Sequence, residues 1–127
     1  MVEEFRYPLI EEVDTELSPL DAFELLFEGK HFSFFLDSGM DPGKLGRYSF
    51  VGSSPFLVLS SRGSEITLTR GAEKSSLRGN PFDVVNNFLG VYHLDSSSPQ
   101  VPFLGGAVGY FSYDLCHFIE RLPSTAV

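Results

Sequence analysis

Asp37, Ser38 and Arg47 are the polar residues of this chain whose types best suit recognition of a small ligand. They flank a stretch that carries Gly39, Gly43 and Gly46. A guanidinium binds a carboxylate in a planar, two-pronged geometry, and a nearby carboxylate accepts hydrogen bonds from an ammonium group. With a hydroxyl beside them, the three types match the two ends of a zwitterion, so an amino-acid-shaped pocket is one reading. The other reading is plainer. Asp37 and Ser38 also suit the cap of a turn, and Arg47 an ordinary surface ion pair. The residue types alone leave both open.

The remaining constellations fall short of chemistry. Gly39-Met40-Asp41-Pro42-Gly43-Lys44-Leu45 has one residue too few between its glycines for a phosphate loop, and Leu45 stands where a magnesium-binding hydroxyl is needed. Gly105-Gly106 with Gly109 lacks the G-x-G-x-x-G spacing of a dinucleotide turn. His31, His93 and His117 are far apart and have no partner at zinc-like spacing. Cys116 is the single cysteine, and its neighbour His117 points elsewhere on any regular element. The pairs Glu3-Glu4 and Glu11-Glu12 lie in an acidic, solvated stretch rather than in a pocket that would split two carboxyl pKa values. No catalytic residue, no metal ligand and no cofactor is therefore expected in this chain.

The elements that must position the polar trio are short. Ser18-Pro19-Leu20-Asp21 supplies a capping hydroxyl, a proline at the first helical position and an acid at the third. Leu20, Phe23, Leu26 and Phe27 then share one face until Gly29 ends the helix. Asn80-Pro81-Phe82-Asp83 repeats the device, with Phe82, Val85, Phe88, Leu89 and Tyr92 as the expected buried stripe. Strands are expected over 31–36, 48–51, 56–61, 65–69 and 73–77, the last three joined by turns at Arg62-Gly63 and Arg70-Gly71. Residues 7–13 and 106–112 are expected as further strands, and 113–120 as a short final helix. The glycines near 105–109 suggest backbones packed closely together. The fold class is α+β, with two or three short helices packed on an antiparallel, β-rich sheet or part of a sandwich.

Composition sets the outer bounds. With 127 residues, 43% apolar and 14% aromatic, the chain is one globular domain. The acid excess behind its net charge of −8 falls entirely before Gly29. That face is a solvated one or meets a basic partner, and nucleic acid is disfavoured. No run approaches the length of a membrane span, the start is acidic and the cysteine is single, so a cytoplasmic protein without a membrane partner is expected.

Three motifs carry a resemblance. They are Leu36-Asp37-Ser38-Gly39, then Gly46-Arg47-Tyr48-Ser49-Phe50-Val51-Gly52, then Phe103 to Leu115 running on to Glu120-Arg121-Leu122-Pro123. In this order they resemble the N-terminal region of the chorismate-utilising synthases, which include component I of anthranilate synthase and of aminodeoxychorismate synthase. The resemblance implies that residues 1–127 are a single N-terminal domain, that a C-terminal chorismate-binding domain completes its sandwich, and that a glutamine amidotransferase supplies ammonia. It places the catalysis, the magnesium and the nucleophilic lysine of the aminodeoxychorismate branch in that absent C-terminal half.

The same resemblance aligns Phe35-Leu36-Asp37-Ser38 with the Leu-Leu-Glu-Ser motif of the tryptophan feedback site, and Arg47 with the basic residue that follows. Asp37 departs from the motif's glutamate, and the Leu-Asp-Ser-Gly wording is more like the aminodeoxychorismate branch of 4-aminobenzoate and folate biosynthesis. That branch is the first expectation. The anthranilate branch, with its feedback site, is the second, and a free-standing amino-acid-binding regulatory domain the third. The isolated chain is expected to be inactive and to self-associate through uncovered apolar surface.

Overall fold

The computed structural model describes residues 7–38, 48–94 and 101–121. Among them are two small antiparallel sheets and three short helices, an α+β arrangement as expected. The chain divides into two units, Met1–Pro55 with Leu94–Gly105, and Phe56–His93 with Gly106–Val127.

In the first unit, helix α1 spans Pro19–Phe27. Its start follows from local chemistry: the Asp21 amide donates to Ser18 Oγ at 3.1 Å, and the Ser18 amide donates back to Asp21 Oδ2 at 3.3 Å. This reciprocal box satisfies two donors that a helix start would otherwise leave unpaired. Gly29, at φ +69°, turns the chain out of the helix. Strands β1 (Ser33–Leu36) and β2 (Phe50–Ser53) follow, paired antiparallel from Ser33 opposite Ser53 to Leu36 opposite Phe50. Helix α1 lies on this pair, with the Phe23 ring stacked at 5.4 Å on Phe35. Phe50 meets Phe103 edge-on at 5.5 Å. Gly52 sits opposite Phe34, and a Cβ there would run into the Phe34 ring. This is where the fold needs a glycine for close approach.

The second unit holds β3 (Val58–Arg62), β4 (Glu65–Arg70) and β5 (Glu73–Arg78) in the order β3-β4-β5. Both turns are tight, and Gly63 (φ +58°) and Gly71 (φ +56°) take the left-handed conformation that such hairpins require. Ile66, the second residue of the central strand β4, lies between Ser61 and Leu77 and is completely buried. Helix α2 (Pro81–Val91) begins with Asn80 Oδ1 accepting from the Phe82 amide at 3.0 Å. A 3-10 helix at Tyr113–Phe118 takes the place of the expected final helix.

Several expectations are corrected. Residues 7–13 form no strand, and Leu9 there is 89% exposed. Residues 106–112 form no strand either, are exposed throughout, and carry Tyr110 at 93% exposure. β-forming residue types become a strand only with a hydrogen-bonding neighbour, and none lies beside these segments among the described residues. A Cβ on Gly109 would meet open space, so the close-packing expectation fails there. Gly105 (φ +155°) and Gly106 (φ +137°) need glycine for backbone conformation, and a Cβ on Gly105 would also stand 2.8 Å from Leu94 Cδ1. The helical stripes are less covered than expected. Leu20, Leu26 and Phe27 of α1 and Leu89 of α2 are exposed, and the only buried residue of α2 is Pro81.

Candidate functional site

The β1–β2 ladder determines where Asp37 stands. It is the first residue beyond Leu36, just as Ser49 is the first residue before Phe50, so both follow the last cross-strand pair. Alternation along a strand puts Asp37 on the side of Phe35 and Ser49 on the side of Val51, which face each other across the ladder. The contact follows: Ser49 Oγ donates to Asp37 Oδ1 at 2.9 Å. Asp37 is exposed, while Ser38 and Ser49 are half-buried. Asp37 and Ser38 therefore stand just past the end of β1. Arg47, the third expected residue, lies outside the described residues, as does the glycine-rich stretch before it.

The arrangement offers an anchored carboxylate and a neighbouring hydroxyl at a strand end, a fitting receptor for an ammonium group. Ser49 was missed in sequence reasoning. Its only signal was membership of the second motif, because pairing it with Asp37 requires the strand register. Ser33 Oγ is buried with no hydrogen-bond partner among the described residues. It lies four residues from Asp37 along β1, about 13 Å of strand, and so belongs to a different position.

The second unit contains one further polar feature. The Arg70 guanidinium lies 5.9 Å from the Phe88 ring centre and 5.7 Å from that of Tyr92. With Leu68, Glu73, Lys74 and Ser75 it borders a surface depression of about 290 Å³. Most of these side chains are exposed, so water competes for every polar contact. Cys116 is a free, half-buried thiol, and His31, His93 and His117 are exposed and scattered. Among the described residues no three His, Cys, Asp or Glu side chains converge as metal ligands, and no helix is long and apolar enough to cross a membrane.

Fold and site thus describe an α+β segment whose best polar cluster suits binding rather than bond-making. The relatives extend this description. The chain is 35% identical over 120 residues to anthranilate synthase component 1 of Acetivibrio thermocellus, and 35% identical over 121 residues to that of Bacillus subtilis. The Synechocystis protein of the same name is 32% identical over 108 residues. These matches cover 92%, 92% and 84% of this chain, but only 24%, 23% and 21% of the relatives. The chain therefore spans about a quarter of their length. No family model matches it.

Proposed function

We propose that this chain is the N-terminal, non-catalytic domain of a component I type, chorismate-utilising synthase, and that the branch is anthranilate synthase. The observation that carries the reading is the match over nine-tenths of the chain to proteins named anthranilate synthase component 1. The exposed apolar surface fits the same reading. Tyr110, Phe111 and Tyr113 stand uncovered, as expected of a segment whose neighbours belong to a larger protein. In this role the chain builds part of an amino-acid effector pocket from Asp37, Ser38 and Arg47. Chorismate, magnesium and the amidotransferase engage the remainder of the enzyme.

The aminodeoxychorismate branch is the second reading. It is favoured by the Leu36-Asp37-Ser38-Gly39 wording and by Tyr113-Asp114-Leu115 leading to Glu120-Arg121-Leu122-Pro123. The relatives' names weigh toward the anthranilate branch instead.

A chimera tests the domain assignment and its effector pocket. This chain replaces the matching segment of the Bacillus subtilis protein, and the product formed from chorismate and ammonium is identified by mass. Anthranilate formation that responds to added tryptophan is the expected result, with none from the 127-residue chain alone. Anthranilate formation insensitive to tryptophan would remove the effector pocket. A chimera that folds but makes no product would remove the domain assignment.

A further inference from the structure

We infer that Ser49 is a positioning residue for ammonium recognition by Asp37, an inference that rests on the amino-acid pocket proposed above. The Ser49 hydroxyl donates to Asp37 Oδ1 at 2.9 Å, and among the described residues nothing donates to Oδ2. Among the described residues one oxygen is thus occupied and the other is left as an acceptor. An exposed aspartate without such a tether samples several rotamers, and a ligand that needs one of them must order the side chain on binding. The tether orders it beforehand.

Ser49 is well placed to do this because it is held by the sheet. Phe50, its neighbour, is paired with Leu36 in the last rung of the ladder, and its ring packs edge-on against Phe103. Asp37 leaves the same rung on the opposite strand. The hydrogen bond therefore joins two chain positions that the β1–β2 register already brings together. Serine is suited to the position because it can donate to the carboxylate without adding charge. An arginine or lysine there would neutralise Asp37 and compete with the ligand's ammonium.

The test separates positioning from simple support of the connection between β1 and β2. Two probes are titrated by calorimetry into the Bacillus subtilis chimera described above, which carries the rest of the pocket: L-tryptophan, and indole-3-propionate, which keeps the ring and carboxylate but lacks the ammonium. The parent chimera is expected to prefer L-tryptophan. Ser49→Ala should reduce that preference about three- to tenfold, the range for losing one hydrogen bond that orders a charged partner, while leaving indole-3-propionate binding unchanged. Ser49→Thr, which keeps the hydroxyl, should restore the preference. Equal weakening of both probes, or an unchanged preference in Ser49→Ala, overturns the inference and leaves the pocket standing. A parent chimera with no preference for L-tryptophan overturns both.

A second measurement does not depend on the ligand. Three-bond couplings should report a single χ1 rotamer for Asp37 in the parent and an averaged one in Ser49→Ala. Averaging already present in the parent overturns the inference alone.

Discussion

In the three-stranded sheet each strand follows the last after a tight glycine turn, whereas β1 and β2 are separated by the whole of residues 37–49. The first sheet is assembled by neighbours in sequence, and its central strand buries Ile66 completely. The second pairs distant segments, buries no residue of either strand fully, and gains its cover from α1 and aromatic contacts. The candidate site lies at the end of the second sheet. Local pairing closes little loop entropy and yields a self-contained element, while long-range pairing must be held by side chains. The less self-sufficient sheet is thus the one that carries the candidate site.

The sharpest way to break this contrast is Ile66→Ala. Truncating a completely buried isoleucine on the central strand β4 should cost about 3 kcal/mol, combining lost apolar burial with the cavity left behind. Denaturant unfolding followed by circular dichroism measures it, and hydrogen exchange should show the loss in the β3–β5 amides. A cost below about 1 kcal/mol would mean that this sheet does not depend on a core at Ile66.

The next effect belongs to the other sheet. Gly52→Val places a branched side chain against the Phe34 ring, which must leave its position across the ladder. Overpacking of this kind should cost about 2 kcal/mol. Loss of the Phe34 to Gly52 cross-strand nuclear Overhauser contacts should accompany it. A variant as stable as the parent would show that β1 and β2 tolerate a shifted register, and the site built on their last rung would lose its support.

How much of this was legible in advance depends on how far apart the interacting residues are. Ser18-Pro19-Leu20-Asp21 and Asn80-Pro81 announced both helix starts because capping is settled within four residues. The turns at Gly63 and Gly71 were equally local, and the five strands lay within two residues of their expected bounds at every end. Residues 7–13 and 106–112 were misread because residue type does not say whether a neighbouring strand is present. Asp37 and Ser38 were singled out through a motif. The Ser49 tether and the Gly52 approach were not, since both exist only once β1 and β2 are in register.

Helix α1 provides an intermediate test. Ser18→Ala removes the acceptor for the Asp21 amide and should cost about 1 kcal/mol, with the loss confined to the first unit. Ser18→Asp should recover most of it, because a carboxylate accepts the same bond and favours a helix start. Thermal unfolding of the two variants gives both numbers. If alanine is harmless, the capping box adds nothing to a helix whose stability then comes from the Phe23–Phe35 stack alone.

The smallest effect should come from Gly109→Ala. Gly109 does not have a left-handed backbone, and a Cβ there meets nothing within 4 Å, so the change should move the stability of this chain by less than about 0.5 kcal/mol. Gly106→Ala is the control, because φ +137° disfavours any side chain whatever the space around it. The pair separates two reasons for a glycine in this segment: at 106 the backbone demands it, and at 109 nothing in the described residues does. A surplus glycine in an exposed, aromatic segment makes sense if another backbone approaches it in the longer protein proposed above. Gly109→Ala introduced into the Bacillus subtilis chimera should then lower its melting temperature or its product formation, while the isolated chain is unaffected. An equally harmless result in both settings would leave residues 106–112 as plain surface and weaken the reading of that exposed stretch as one covered by the rest of the synthase.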